Sequence, residues 1–155
     1  MKHIAELETK WRIEKVGHPP VATKVDIKIF QEKHNVILPS DLVEYFQSLN
    51  GTDGDCTDDL FEFYSIHKIQ PVNDAYKDWK GIPNYQDLQD VKDVDDLYVF
   101  ANTNFHLFAY AIRLNCLPSK KIEVYVICGD RYKKIADSFS EFITLYLSSS
   151  PKLQL

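Results

Sequence analysis

The chain has only five glycines in 155 residues, and none stands in a phosphate-binding pattern. It contains no Gly-x-Gly-x-x-Gly fingerprint, no Gly-x-x-x-x-Gly-Lys loop and no Gly-x-Ser-x-Gly elbow, which removes the usual nucleotide cradles and the hydrolase nucleophile turn. Cysteine is scarce too. Cys56, Cys116 and Cys128 are an odd number without Cys-x-x-Cys spacing, a pattern of free thiols in a reducing compartment rather than a disulfide scaffold. Cys128 follows Val126 and Ile127 and reads as a small buried hydrophobe, not a nucleophile. The five histidines, His3, His18, His34, His67 and His106, share no metal-ligand interval. No apolar run approaches the roughly 20 residues of a membrane span. Lys2, His3, Glu6 and Glu8 interrupt any signal-like run at the start. The expectation is a cytoplasmic protein that is not an enzyme and uses no cofactor and no metal.

What is present suits one folded domain. A length of 155 residues is about one domain, and nine Tyr, nine Phe and two Trp supply a large aromatic core. Ile4, Leu7 and Trp11 share a helical face. Thr23 can cap a second helix, with Asp26 three residues on and Ile27 and Phe30 facing inward. A third helix is fully specified: Pro39 in the first turn, Asp41 against the positive end of the dipole, Leu42, Tyr45, Phe46 and Leu49 on one face, and Asn50-Gly51 as the stop. Leu60 to Tyr64 reads as a strand, as do residues 97–101, 107–114 and 122–128. In residues 107–114 both alternating sets are apolar, so this strand is expected in the sheet centre. Gly129-Asp130 suits a hairpin turn into residues 132–136. Ser138 and Glu141 form a Ser-x-x-Glu capping box ahead of Phe139, Phe142, Ile143 and Tyr146. Residues 71–96, with Trp79, Tyr85, two prolines and many aspartates, fit no single element. Helices first, then strands, then one helix predict an α+β fold: a mostly antiparallel sheet packed by N-terminal helices and a closing C-terminal helix. Residues 1–147 are expected to form the domain and 148–155 a frayed tail.

Several of these stretches resemble the SUKH superfamily, which groups fungal cell-wall glucan-synthesis regulators with bacterial immunity proteins. The resemblance runs from Ile29-Phe30-Gln31 through Asn35 and Leu38-Pro39 to Asn50-Gly51, and returns in residues 122–126 and 135–143. Gln31 stands where the family usually has glutamate, and Asn35 where it usually has glycine. The resemblance implies a protein-binding domain, in the first place an immunity protein that binds and neutralises a cognate toxin such as a nuclease. A regulatory scaffold that binds cellular partners without a toxin is the alternative, and a small-molecule or hydrolytic enzyme a more distant one.

Charge is unevenly spread. Asp53, Asp55, Asp58 and Asp59 fall within seven residues with no base between them, and Asp87, Asp90, Asp93, Asp95 and Asp96 surround only Lys92. The two segments carry −4 each, against −5 for the whole chain, so the remainder is +3. Asp53 opens a stretch like a calcium loop, but Asp58 and Tyr64 hold the sixth and twelfth positions, where Gly and Glu are required. Phosphate would be repelled by such patches, so a nucleic-acid partner is not expected. A basic protein partner is favoured, through Asp53, Asp55, Asp58, Asp59, Asp93, Asp95 and Asp96, with Tyr76 and Tyr85, and less so Trp79, as aromatic anchors. Plain solvation of the domain is the competing role for both acidic runs.

Overall fold

The longer helices form on apolar spacing, to which the second adds a side-chain cap. α1 (Ile4–Ile13) buries Leu7 and Trp11. α2 (Lys24–His34) opens on a reciprocal capping box, with Thr23 Oγ1 accepting from Asp26 N and Asp26 Oδ2 accepting from Thr23 N. It ends on Asn35, whose φ of 52° is the left-handed conformation a helix stop needs. α3 (Ser40–Ser48) buries Leu42, Tyr45 and Phe46. The structure, a computed structural model, describes residues 3–88, 90–117 and 121–155, so Lys2 lies outside the described residues.

The described residues include a six-stranded antiparallel sheet. Its strands are β1 (Phe61–Phe63), β2 (Gln70–Pro71), β3 (Leu97–Thr103), β4 (Phe108–Arg113), β5 (Val124–Cys128) and β6 (Arg131–Ala136). The order is β1-β3-β4-β5-β6, with β2 pairing the other half of β3. β4 is central, as its apolar faces predict. Gly129, at φ +65°, turns β5 into β6. Leu60 falls outside β1 because its own φ is +64°, off the extended region.

Register divides the two faces. Phe63, Ala101, Tyr110 and Val126 lie in one cross-strand row. Glu62, Asn102, Ala109, Ile127 and Tyr132 form the neighbouring row, on the opposite face. The first face meets α5 (Phe139–Leu147), where Phe142 lies 5.4 Å from the Tyr110 ring and Tyr146 lies 5.0 Å from Phe63. A bulge between Val99 and Ala101 turns Phe100 to the same side, 4.9 Å from Phe142. Asp41 joins the two helices that cover this face, since its Oδ2 accepts from Ser140 N and Oγ. Ser138 caps α5 as expected, but Glu141 reaches back to Asp137 N rather than to the cap residue.

The segment that sequence could not place, 71–96, covers the second face. It contributes α4 (Val72–Ala75) and single turns at Tyr85–Asp87 and Val94–Asp96, and it buries Val72, Tyr76, Tyr85, Leu88 and Val91. The domain is therefore three layers: helices, sheet and excursion. The C-terminal segment, expected to fray, lies against the sheet. Pro151–Leu153 forms a turn, Leu153 is buried, and Tyr110 OH donates to the Leu153 carbonyl at 2.9 Å. A buried hydroxyl needing an acceptor and an apolar side chain with a place to go hold those residues.

Two outcomes follow from this packing. Phe142 is fully buried between helix and sheet, so Phe142→Ala should lower unfolding free energy by about 3–5 kcal/mol in denaturant melts. Asn50 is buried at the end of α3, with Nδ2 donating to the Pro20 carbonyl and Oδ1 accepting from Ile66 N. Asn50→Ala should cost about 1–3 kcal/mol for each group left unpaired. A variant melting with the parent would show that water takes both partners over.

Candidate partner-binding surface

The loop of residues 53–59 is tied to α1 and to the residues after it. Gly17 N donates to Asp55 Oδ2 at 2.9 Å. Asp58 N donates to Glu14 Oε1 at 2.7 Å, while the other oxygen of Glu14 accepts from Lys10 Nζ at 2.8 Å. Thr52 Oγ1 donates to the Asp55 carbonyl, and buried Thr57 exchanges hydrogen bonds with the Phe61 backbone and donates Oγ1 to the Asp59 carboxylate. These contacts fix the backbone and leave Asp53, Asp58 and Asp59 exposed. α1 itself is held from beneath, where Trp11 Nε1 donates to Tyr146 OH.

An open groove of about 820 Å³ runs between α1 and this loop, bounded at one end by Ser149. Ala5, Thr9 and Ile13 give it an apolar floor, and Glu6, Glu14, Asp58 and Asp59 line it against the single ammonium of Lys10. Glu14 is ion-paired to Lys10 with its side chain 6% exposed, so Glu6, Asp58 and Asp59 supply the groove's negative charge, and gathered on a concave surface they attract cations more strongly than the same charges spread out. The groove offers no His or Cys among its lining residues. Among the described residues, no group of three His, Cys, Asp or Glu side chains is placed to hold a metal ion. No described helix is long and apolar enough to cross a membrane.

The sequence paired two acidic segments; the structure separates them. Asp59 lies beside the Thr103 end of β3, and Asp96 immediately precedes its Leu97 end. Six strand steps put about 20 Å between them. Asp95 accepts from Asn73, and the Asp93 carbonyl accepts from Arg113, which also pairs with Glu123 at 2.9 Å. This second segment lies beside the seam between the excursion and the sheet, with Asp93 and Asp95 exposed.

Tyr76 and Tyr85 are not surface anchors. They are 4% and 2% exposed and stack on each other at 4.0 Å under the excursion. Trp79 packs edge-on against both and donates Nε1 to the Pro83 carbonyl. Burial pushes both phenols above their usual range, so they remain neutral hydrogen-bonding groups. Their partner is the turn between β3 and β4. Tyr85 OH donates to the His106 carbonyl at 2.6 Å, and Tyr76 OH lies 2.9 Å from His106 Nδ1. Aromatics amid polar residues suggested an exposed site; the excursion needed them instead to cover a sheet face. Sequence reasoning missed Glu6, on the exposed side of α1, and Glu14, which follows the helix with its side chain 6% exposed. No local spacing marks the pair, because their meeting with residues 53–59 depends on how α1 packs.

The sequence model of the SMI1 / KNR4 family (SUKH-1) matches residues 21–145. The chain belongs to that family. A comparison with curated proteins returns no match. The SUKH-1 span takes in α2 to nearly the end of α5 and includes the loop of residues 53–59. It leaves out α1 and Ser149, so the groove combines a shared loop with walls from outside the shared region.

His106 gives this region a pH dependence. Burial lowers its pKa below the ordinary 6.5, as burial also does for His34. The unfolded chain therefore takes up protons first, so the stability from the neutral rings is complete above pH 6.5 and is lost as pH falls toward the folded pKa values. The thermal midpoint should drop on acidification from pH 7.5 to 5.5. It should drop less in His106→Asn, which tolerates the left-handed backbone at that position. Equal losses in the two proteins would remove His106 from the account.

Proposed function

We propose that the protein is an immunity protein, whose acidic groove receives the basic surface of a cognate toxin domain and covers it. The observation behind this reading is the groove itself: Glu6, Asp58 and Asp59, with the only lysine of the lining paired to Glu14, beside apolar Ala5 and Ile13 on a SUKH-1 domain. The SUKH superfamily includes toxin-immunity proteins. A toxin that cuts nucleic acid must attract phosphate, so its working surface is basic. A lysine or arginine entering the groove lays its alkyl stem along Ala5 and Ile13 and its charge among the carboxylates. Neutralisation then needs no chemistry from this chain, only occlusion. The fixed loop lowers the ordering cost of binding, because its backbone is already held by Gly17 and Glu14.

The test is direct. On this reading a basic toxin domain is expected in the neighbouring reading frame; co-expression with it should relieve growth arrest, and the two purified proteins should form a complex. Exchanging Glu6→Gln, Asp58→Asn and Asp59→Asn together should slow association by about tenfold at low salt, with the gap closing as salt screens the charges. The thermal midpoint should stay close to the parent's, since exposed charges contribute little to folding. If the parent chain neither protects nor binds, the immunity reading falls and the regulatory scaffold, binding cellular partners without a toxin, replaces it. If the triple variant associates at the parental rate at every salt concentration, the partner docks elsewhere.

A further inference from the structure

The turn between β3 and β4 places three consecutive non-glycine residues in the left-handed region: Asn104, Phe105 and His106, at φ 51°, 54° and 72°. Such a run persists only where the surroundings hold it. Here they do. His106 N donates to Asn102 Oδ1, Asn104 N to the Leu60 carbonyl, and Leu107 N to the Asn104 carbonyl. Tyr85 OH grips the His106 and Leu107 carbonyls from below, and the rings of Tyr76 and Trp79 flank the imidazole at 5.6 and 5.2 Å. At the apex of this clamped turn, Phe105 is 74% exposed. Leu60 and Leu107 beside it are 40% and 42% exposed, and Leu60 is itself left-handed at φ 64°.

A strained backbone that presents a phenylalanine to water contributes nothing to folding that glycine or asparagine would not supply better. The patch also adjoins the acidic loop. Leu60 directly follows Asp58-Asp59, the Asp59 carbonyl accepts from Thr103 Oγ1, and a cleft lined by Asp59, Asn104, Phe108 and Ser149 continues from the groove to the turn.

We propose that Phe105, with Leu60 and Leu107 around it, is the apolar anchor of the partner interface. It inserts into an apolar pocket on the basic toxin, while the neighbouring groove meets the cations at the rim of that pocket. This rests on the immunity reading and adds to it the residue that holds the complex together. Charge complementarity selects the occupant: an apolar pocket bordered by Lys or Arg satisfies both Phe105 and Asp58-Asp59, whereas an uncharged or acidic surface does not. The division of labour is kinetic. The carboxylates govern association, and Phe105 governs dissociation.

The experiment measures association and dissociation rates of the basic toxin domain that the immunity reading expects in the neighbouring reading frame with the parent chain, Phe105→Ala and Phe105→Gly. Both variants should dissociate about 30-fold faster or more, the size of a central aromatic anchor, with association changed less than threefold. Phe105→Gly should melt at or above the parent, because glycine relieves the left-handed backbone, so its weaker binding could not come from unfolding. Binding by the parent with parental dissociation from both variants would overturn the anchor and leave the immunity reading standing. No binding by the parent would overturn the immunity reading itself. A variant that binds weakly and also melts early would assign Phe105 to the fold, against the proposal.

Discussion

The whole arrangement hangs on the two residues that end α3. Asn50 stands in the left-handed conformation with its side chain buried, and its amide answers two backbone groups from different parts of the chain, the carbonyl of Pro20 and the N–H of Ile66. The Ile66 N–H lies in a buried position, where an unpaired backbone group costs as much as a lost hydrogen bond, while the Pro20 carbonyl is only part-buried. Gly51 follows at φ +92°. A Cβ there would lie 2.7 Å from the Phe63 carbonyl oxygen and 2.8 Å from the Tyr64 carbonyl carbon, both backbone atoms that cannot swing aside. Only glycine allows the chain leaving α3 to pass that close to β1. Thr52 then exchanges hydrogen bonds with both backbone groups of Phe63. In three residues a helix end, the first edge strand and the segment before α2 become one rigid corner.

The acidic loop is what that corner throws outward. Residues 53–59 bridge from Thr52 to Phe61 and have nothing to bury except Thr57, so they are solvated on one side by default. What turns them into a surface with a shape is Glu14, which spends one carboxylate oxygen on Lys10 and the other on the Asp58 amide. Clustered carboxylates repel one another, and a flexible loop would spread them apart. Tethers to the N–H groups of Gly17 and Asp58 oppose that spreading and keep the negative charge concentrated beside α1.

How far this was legible in the sequence depended on how local each decision was. α2, α3 and α5 were readable because Thr23, Asn35, Pro39, Asn50-Gly51 and Ser138 mark ends within a few residues of the apolar stripe they bound. Gln31 shows the same logic at a position where the family usually has glutamate: its Oε1 accepts from Leu38 N at 2.8 Å, a task that needs an acceptor and no charge. The excursion was not readable. Tyr76 and Tyr85 find their places through His106, 30 and 21 residues further on, and nothing in their own neighbourhood says whether an aromatic among aspartates faces water or a sheet. The candidate site was half legible. The charge of residues 53–59 was plain, but its union with Glu6 and Glu14 depends on how α1 crosses the corner, and the distance between the two acidic segments depends on the length of β3.

A fold shared across a family positions a site without choosing its partner. In this chain the two can be distinguished by where their residues come from. Asn50-Gly51, most of the helix–sheet core and the loop of residues 53–59 fall within the SUKH-1 span, and together they present a constrained acidic edge. The apolar floor and one charged wall of the groove come from α1, before that span, and Ser149 closes it from beyond the span. The part within that span therefore supplies the rigid corner and the four aspartates of the loop. The shape of the groove is set where Ala5, Thr9 and Ile13 meet that edge. Specificity is a difference between affinities, and here the terms able to differ lie in side chains that the corner does not need for folding.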